Sequence, residues 1–157
     1  MAVKTNAMRI LDREKVSYTA QEYEHDDGLI DGNSIAAKIG AEEKVVFKTL
    51  VTKGSSGGYF VFVVPVCTEL DLKKAAKAAG EKSVAMIPVS DINKVTGYIR
   101  GGCSPVGMKK LFPTYIDSSA QELERIYVSA GKIGAQVFVS PTDLARVCGA
   151  KFAEITI

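Results

Sequence analysis

The sequence predicts an α+β fold in which a curved, barrel-like mixed β-sheet forms the core and short helices flank it. Two observations lead to this fold class. Short apolar stretches rich in β-branched residues recur along the chain, bounded by glycines or polar turns. The helical stretches are short and do not alternate regularly with the strands, which disfavours a doubly wound parallel sheet. A length of 157 residues is that of one domain with its own core, so we assign residues 1–157 to a single domain.

Six helices are predicted, because apolar residues recur at helical spacing or a capping residue opens the stretch. In the first helix, Ala7, Ile10 and Leu11 share one face, and Val3 extends it. Glycines are expected to end the second, third and fourth helices, since glycine readily adopts the left-handed conformation that follows a helix. The predicted helices run over 3–15, over 35–39 after a cap at Asn33 or Ser34, from Asp71 through 79, from Ser90 or Asp91 to Gly97, from Ser118 or Ser119 to Arg125, and from Pro141 through 147 after a cap at Ser140.

Apolar, β-branched stretches predict the strands. The stretches 45–53 and 59–64 are joined by the glycine- and serine-rich turn 54–58, so they are expected to form a β-hairpin. Another pair of strands is joined by a turn that contains Gly131 and Gly134. This second pair covers 126–128 and 136–139, and the remaining predicted strands cover 16–23, a short buried stretch at 83–87, the residues Tyr98 and Ile99, and 114–117.

Charge and cysteine content limit the classes of function. The formal net charge is +2, so the chain lacks the overall basic field of a general DNA-coating protein, and we expect no DNA partner. Any nucleic-acid contact must come from a local basic patch. The three cysteines are widely spaced, which predicts neither a metal site nor a disulfide framework. No apolar run is long enough to span a bilayer, so we expect a cytoplasmic protein without membrane contact.

Three polar or glycine-rich segments, each next to an apolar strand, predict one shared pocket. The central segment, residues 97–110, contains the pair Gly101-Gly102 followed by a cysteine and a Ser-Pro dipeptide. A glycine pair allows the backbone to approach a ligand closely, and successive free N–H groups can form a nest for an anion. The other two segments are 47–49 and 128–132. For any one segment alone, a tight turn with solvated lysines is the alternative.

Lys48 is the most informative single residue, because it interrupts an apolar, β-branched stretch. Burying an ammonium group is costly unless the group is paired or reaches a wet pocket. A lysine at the edge of a pocket binds phosphate or polarises a carbonyl group. The alternative is that the alternation of the strand turns Lys48 towards solvent.

No other residue completes a recognisable catalytic set. Ser129 ends an apolar strand, but no base lies near it in sequence, so we expect either a hydrogen-bonding role or an ordinary turn serine. His25 is the single histidine, and its acidic neighbours favour a solvated side chain. Cys103 is a lone cysteine in a loop, which by itself is weak support for reactivity. The glycine patterns match neither a phosphate-binding loop nor a dinucleotide fingerprint, so ATP hydrolysis and dinucleotide binding are disfavoured.

A basic patch is predicted on the third helix. Lys73, Lys74 and Lys77 share one face, because residues three and four apart are neighbours on a helix. Lys109 and Lys110 are expected to extend that patch. Such a track would contact the phosphate backbone of a nucleic acid and make the affinity depend on salt. A solvated helix face is the alternative.

Taken together, these motifs resemble the YbaK family of Cys-tRNA(Pro) deacylases, which is related to the editing domain of bacterial prolyl-tRNA synthetases. The likeness covers nearly the whole chain, and the order of the motifs makes it specific. The matching motifs are Phe47-Lys48-Thr49-Leu50, Leu70-Asp71-Leu72-Lys73-Lys74, Gly97-Tyr98 with Gly101-Gly102-Cys103-Ser104-Pro105, and Tyr127-Val128-Ser129 with Gly131-Lys132.

The resemblance implies the barrel-like mixed sheet of an editing domain, and hydrolysis of the ester between a mischarged amino acid and the tRNA 3′ adenosine. It makes Lys48, Gly101 and Gly102 the expected catalytic residues, as the family's key lysine and its backbone-binding loop. Cys103 stands where the family often has an aliphatic residue, which argues against a catalytic cysteine. The expected substrate-binding residues are Tyr23, Thr49, Ser104, Ser129 and Lys132.

The expected partner is a mischarged tRNA bound at its 3′-CCA end, with prolyl-tRNA synthetase as a further partner, and no cofactor is expected. The attacking group is either the thiol of a cysteinyl substrate, which would release cysteine thiolactone, or water aided by the adenosine 2′-hydroxyl. Two other functions stay open: a non-catalytic module that binds tRNA or a synthetase, and a small-molecule nucleotide binder. Since subfamilies differ in the misattached residue, editing of Ala-tRNA(Pro) is an alternative to editing of Cys-tRNA(Pro).

Overall fold

The computed structural model describes residues 4–157, so the predicted place of Val3 on the first helix lies outside the described residues. The described chain contains α-helices, β-strands and 3-10 turns, and none of its helices is both long and apolar enough to cross a membrane. The α-helices are α1 (Asn6–Arg13), α2 (Gly32–Ile39), α3 (Leu72–Ala79), α4 (Ile92–Thr96) and α5 (Pro141–Cys148). The strands are β1 (Tyr18–Glu22), β2 (Phe47–Gly54), β3 (Tyr59–Pro65), β4 (Val84–Met86), β5 (Thr114–Asp117), β6 (Ile126–Ser129), β7 (Ala135–Val139) and β8 (Lys151–Ala153).

The strands form two sheets, not the single sheet predicted. The larger has the order β4-β2-β3-β5-β8 and is mixed, since β2 runs antiparallel to β3 and β4 whereas β5 is parallel to β3 and β8. The smaller has the order β1-β7-β6 and is antiparallel. The chain leaves the larger sheet after β5, where the 3-10 turn Ser118–Glu122 redirects it, and a parallel bridge between Val46 and Tyr127 links the sheets. The α+β class, with a mixed sheet and short helices, is confirmed.

The main core lies between the two sheets and is closed by α1 and α5. β3 is buried on both faces, because Val63 packs into this core whereas Phe62 and Val64 pack with α3 on the other side. This double burial explains why residues 59–64 form a continuous apolar run instead of alternating with polar residues. The largest fully buried side chains of the main core are Leu11, Val63, Val106, Ile116, Ile126, Val128 and Leu144.

The predicted β2–β3 hairpin is confirmed. Its register runs from Phe47 opposite Pro65 to Lys53 opposite Tyr59. The first strand begins later than predicted, because a 3-10 turn occupies Glu43–Val45. The hairpin is the central pair of the larger sheet, so it fixes the start of β2 relative to the rest of the fold.

Two helices follow the predicted capping chemistry. The Asp71 carboxylate accepts hydrogen bonds from N–H groups in the first turn of α3, and Gly80 follows its last residue with a φ of +72°. Ser140 caps α5, and Pro141 occupies its first position, where a missing N–H is harmless. Both helices therefore begin where the sequence predicts.

α2 begins earlier than predicted. Its cap is Asp31, whose carboxylate accepts a hydrogen bond from the Ser34 N–H at 3.2 Å, so the predicted caps Asn33 and Ser34 are wrong. A Cβ atom at Gly32 would lie 2.3 Å from Val66 Cγ1, which shows how closely the start of α2 approaches the end of β3. This approach closes one end of the cavity described below.

The residues around α4 also differ from the prediction. Tyr98 and Ile99 do not form a strand, because the Tyr98 N–H donates to Thr96 Oγ1 in the turn after the helix and Ile99 is 53% exposed. α4 follows Asp91 as predicted, but the Asp91 carboxylate lies 3.1 Å from the Lys94 ammonium group instead of capping the helix.

Two further predictions are corrected by the structure, and one strand was not predicted. The stretch expected to be helical up to Arg125 forms only the 3-10 turn Ser118–Glu122, which is capped by Asp117. β4 has one buried residue, Val84, because it forms an edge of the larger sheet. β8 was not predicted, since three residues, Lys151–Ala153, are too few to show a strand period.

Candidate functional site

A cavity of about 150 Å³ lies where the start of β2 and the β6–β7 hairpin meet the loop after α4. Each of the three segments that were predicted to share a pocket contributes to its lining: Lys48 and Thr49 from the first, Gly101 from the second, and Ser129 from the third. Gln136 of β7 adds a further polar side chain. The remaining lining residues are Ile30, Gly32, Ile35, Val46, Phe47, Val66 and Cys103.

Strand pairing holds one side of the cavity, the strand wall, which comprises Lys48, Thr49, Ser129 and Gln136. Ser129 and Gln136 are directly opposite each other in the β6–β7 pair, so their side chains lie on the same face of the sheet. Lys48 is half-buried, and within residues 4–157 no carboxylate lies within 4.0 Å of its ammonium group. A lysine without an internal counterion at a cavity is available to a phosphate or carbonyl oxygen.

Two polar atoms of the strand wall are buried without a partner. In the described part of the chain, Tyr23 Oη, Thr49 Oγ1 and Gln136 Oε1 are buried and make no hydrogen bond. Buried polar groups are normally hydrogen-bonded, so such atoms call for an explanation. Thr49 and Gln136 both line the cavity, and Gln136 is only 3% exposed. Their placement favours a polar ligand in the cavity.

Tyr23 and Ser129 contribute mainly to the shape of the site. The Tyr23 N–H donates to the Gly134 carbonyl at 2.9 Å, and its ring packs edge-on against His25, outside the cavity lining. Ser129 Oγ lines the cavity but accepts a hydrogen bond from the Gly131 N–H at 3.2 Å. Among the described residues, no histidine or carboxylate is hydrogen-bonded to Ser129, so it lacks the base that an activated serine needs.

The opposite side of the cavity, the loop wall from Gly101 to Cys103, is shaped by its backbone. Gly101 has a φ of +85°, and a Cβ atom at Gly102 would lie 3.0 Å from the Ile133 nitrogen. The Gly102 N–H donates to the Ile99 carbonyl at 3.0 Å, so it is not one of the free N–H groups that an anion nest needs. The N–H groups of Gly101 and Cys103 have no acceptor within residues 4–157, so these two are the available donors.

Tyr98 fixes the loop wall against the strand wall. Its hydroxyl donates to the Val106 carbonyl, and its ring lies 3.1 Å from the position that a Cβ at Gly131 would occupy. Burial raises the pKa of Tyr98 to about 12, so the hydroxyl remains a donor at neutral pH. The close contact explains why a glycine stands at 131.

Cys103 lines the cavity with a protonated thiol. Burial raises the pKa of Cys103 to about 11, although a hydrogen bond with Thr96 acts in the opposite direction. Because the thiolate is the nucleophilic form, a thiol with this pKa is a poor nucleophile at neutral pH. The structure thus agrees with the expectation that Cys103 is not catalytic.

Two predicted substrate-binding residues do not line the cavity. Ser104 is fully buried, and its Oγ accepts a hydrogen bond from the Val106 N–H at 3.1 Å, so its hydroxyl shapes the loop. Lys132 is exposed, and its backbone carbon lies 3.0 Å from the position that a Gly102 Cβ would occupy. Both residues therefore support the loop wall, and the geometry does not favour direct contact with a ligand in the cavity.

The predicted lysine patch divides into two groups. Lys74 donates to Glu154 Oε1 at 3.1 Å and to the Thr156 carbonyl at 2.9 Å, which ties it to the C-terminal segment. Lys73 and Lys77 are exposed on α3. The other group, Lys109 and Lys110, borders a separate groove together with Tyr59, Lys94, Val95 and Phe112.

Gln136 is the site residue that the sequence analysis missed. It interrupts the apolar strand β7 in the way that Lys48 interrupts β2. The same signal, a polar residue inside an apolar strand, identifies both. The apolar lining from α2 had no such signal, because it depends on how that helix packs against β3.

Comparisons with known proteins agree with this architecture. Residues 33–147 match the family model described as an aminoacyl-tRNA editing domain. A protein of Enterococcus faecalis, provisionally named Cys-tRNA(Pro)/Cys-tRNA(Cys) deacylase EbsC, is 48% identical over 153 residues, which cover 98% of this chain and 93% of that protein.

Solved structures share the fold at lower identity. One crystal structure, provisionally described as a trans-editing enzyme for prolyl-tRNA synthetase, is 24% identical with a TM-score of 0.83, covering 99% of both chains. Another, of a hypothetical protein, is 21% identical with a TM-score of 0.86, covering 95% of this chain and 97% of the other. At these identities the likeness establishes the fold alone.

Proposed function

The chain belongs to the aminoacyl-tRNA editing domain family, and we propose that it is a trans-editing deacylase that cleaves the ester bond of mischarged Cys-tRNA(Pro). The composition of the cavity is the observation that supports assigning the deacylase activity to this site. The cavity combines the ammonium group of Lys48 with oxygens of Thr49 and Gln136 that lack a hydrogen-bond partner among residues 4–157, next to a glycine backbone. We also propose a cytoplasmic location, because charged tRNA is used there.

The size and lining of the cavity suit a small aminoacyl group. A cavity of about 150 Å³ is large enough for a group the size of benzene. Ile30, Ile35 and Val66 provide the apolar part of the lining, whereas Gln136 Oε1 is an acceptor for the α-ammonium group of the substrate. The cavity therefore accommodates a small side chain and the charged group beside it.

The catalytic groups act by positioning and by stabilising charge. An aminoacyl ester is already activated, so these two effects suffice without a protein nucleophile. In this proposal the N–H groups of Gly101 and Cys103, which have no acceptor within residues 4–157 and belong to cavity-lining residues, stabilise the negative charge that develops on the carbonyl oxygen. Lys48 binds that oxygen or the adjacent phosphate. Gly102 keeps the loop wall close to the strand wall and does not donate to the substrate.

The attacking group is the thiol of the cysteinyl substrate. Its sulfur forms a bond to the acyl carbon, the ester C–O bond breaks, and the ribose oxygen leaves as a hydroxyl group after it takes the thiol proton. The products are cysteine thiolactone and free tRNA. We expect the same tRNA charged with serine to turn over at least about tenfold more slowly, because it lacks the thiol. Unchanged turnover would instead identify water as the attacking group.

The function is tested by incubating the purified protein with Cys-tRNA(Pro) and measuring released tRNA against the uncatalysed rate. Ala-tRNA(Pro) on the same tRNA tests the alternative misattached residue. Binding of Cys-tRNA(Pro) without accelerated cleavage would show a non-catalytic module. Prolyl-tRNA synthetase is the further partner that we propose, and its addition should then raise the rate at low substrate concentration.

A further inference from the structure

The segment between β1 and α2 reaches the cavity at its last residue. We call this segment, residues 24–30, the strap, and it forms neither a helix nor a strand. Ile30 lines the cavity, and a Cβ atom at Gly101 would lie 2.7 Å from the Ile30 Cδ1 atom. The Ile30 side chain therefore extends to the loop wall, so the position of the strap decides the shape of the cavity on this side.

One side chain, Lys38 near the end of α2, binds the strap at three points. Its ammonium group donates to the Glu24 carbonyl at 2.8 Å and to the Leu29 carbonyl at 2.9 Å, which lie near opposite ends of the strap. It also donates to Asp27 Oδ1 at 2.8 Å, in the middle of the strap. A lysine ammonium group has three donors, and here each of them has an acceptor in the strap.

The other hydrogen bonds of the strap stay inside it. The Gly28 N–H donates to the His25 carbonyl at 3.0 Å, and the Leu29 N–H donates to Asp27 Oδ1 at 3.0 Å. In the described part of the chain, every hydrogen bond that leaves the strap therefore ends on the Lys38 ammonium group. The strap thus has a single polar anchor among the described residues.

The environment of Lys38 favours a stronger anchor than an ordinary surface ion pair. Fully exposed ion pairs add little to stability, whereas hydrogen bonds to a charged group that is partly shielded from water are stronger. Only 19% of the Lys38 side chain is exposed. A hydrogen bond with Lys38 holds the pKa of Asp27 below its ordinary value, so the carboxylate stays charged at neutral pH.

We propose that Lys38 is a positioning residue for ester cleavage: it fixes the strap so that Ile30 holds the acyl group in the cavity. Lys38 itself does not line the cavity, so it acts on the substrate through the strap. The proposal rests on the proposed function, because Ile30 has this role only if the cavity holds the acyl group. A reaction that depends on orientation is sensitive to small displacements of the groups that position the substrate.

The anchor is tested with Lys38→Met, which keeps a long side chain of similar helix propensity but removes all three donors. We expect the strap to become mobile, so that the backbone order parameters of residues 24–30, measured by NMR relaxation, fall from about 0.85 to below about 0.6. Arg146→Met is the matched control, because it also removes a positive charge from the last turn of an eight-residue helix, α5. The carboxylates near Arg146, at 3.8 and 4.0 Å, lie outside the strap.

The NMR measurement needs no substrate, so it separates the anchor from the deacylase. A strap that stays rigid in Lys38→Met, or that loosens equally in Arg146→Met, would overturn the proposal. Failure of the wild type to cleave Cys-tRNA(Pro) would instead refute the deacylase.

The positioning role is tested by kinetics. Lys38→Met should lower kcat/KM for Cys-tRNA(Pro) by about tenfold or more, because the acyl group is held less well. The Kd of uncharged tRNA(Pro) should stay within about twofold, since the strap acts on the acyl group alone. Weaker binding of uncharged tRNA(Pro) would indicate a general loss of structure and would contradict a positioning role.

A double variant shows whether Lys38 acts through Ile30. Ile30→Ala should lower kcat/KM to a similar extent, and addition of Lys38→Met to it should lower the value by no more than about twofold further, because the two residues form one unit. Losses that multiply in the double variant would show that Lys38 acts by another route and would overturn the proposal.

Discussion

The two walls of the cavity present different parts of the chain to a ligand. The strand wall presents side chains, and the ladders of β2, β6 and β7 hold them in register. The loop wall presents backbone, whose shape depends on the positive φ of Gly101 and on the tight packing of Gly102. Loss of a side chain should therefore damage the strand wall, whereas addition of a Cβ atom should damage the loop wall.

The largest effect is expected from Lys48→Ala. Removal of the ammonium group should lower kcat/KM for Cys-tRNA(Pro) by about 10²-fold or more, because a preorganised charge is lost at the reacting oxygen. The matched control is Lys53→Ala, an exposed residue of the same strand outside the cavity, which should stay within about twofold. If Lys48→Ala keeps the kcat/KM of the wild type, the lysine of the strand wall has no role in catalysis.

Gly101→Ala should lower kcat/KM by about tenfold or more, because the residue needs a positive φ and its new Cβ would lie 2.7 Å from Ile30 Cδ1. Gly57→Ala is the control, since Gly57 has a φ of +96° with no atom within 4 Å of its Cβ position. Both variants should lose about 1 kcal/mol of stability in thermal unfolding, but only the first should lose activity. Equal activity of the two would show that the loop wall has no catalytic role.

Gln136→Leu should make the protein more stable but less active. The buried Gln136 Oε1 has no hydrogen-bond partner in the described part of the chain, so replacement of this side chain by an apolar one of similar size should raise the free energy of unfolding by about 1 kcal/mol. Activity should fall by about tenfold through a higher KM, because the acceptor for the substrate is lost. Gln21→Leu, at the paired position of β1 and outside the cavity lining, should leave KM unchanged. An unchanged KM in Gln136→Leu would contradict the role given to this side chain.

The smallest effect is expected from Cys103→Ser, which should change kcat/KM by no more than about twofold, because the loop wall contributes backbone at this position. At about pH 8 an alkylating reagent should modify the exposed Cys67 well before Cys103, whose raised pKa keeps its thiol protonated. Labelling of Cys103 should increase as the pH approaches about 11, as followed by mass spectrometry. Early modification of Cys103 would contradict the burial described here.

The strand wall could be predicted better than the loop wall, for a physical reason. A polar residue inside an apolar strand is visible in the sequence, and this signal identified Lys48 and would have identified Gln136. The sequence predicts a strand at Tyr98 and Ile99, which lie in a loop, because local apolar character does not reveal a hydrogen bond to Thr96. The hydrogen bonds between Lys38 and the strap depend on how α2 packs, which no local pattern contains.

The outer strands β1 and β8 pair with strands that are far from them in sequence, and this separation affects folding during synthesis. β1 can pair only after β7 has left the ribosome, and β5 can acquire its parallel neighbour β8 only after α5 and β8 have also been synthesised. Contacts between such remote segments form slowly, and the face of β3 that carries Val63 lacks its β6 and β7 neighbours in the meantime. A member of the aminoacyl-tRNA editing domain family thus depends on strands made well after the β2–β3 hairpin before this fold is complete.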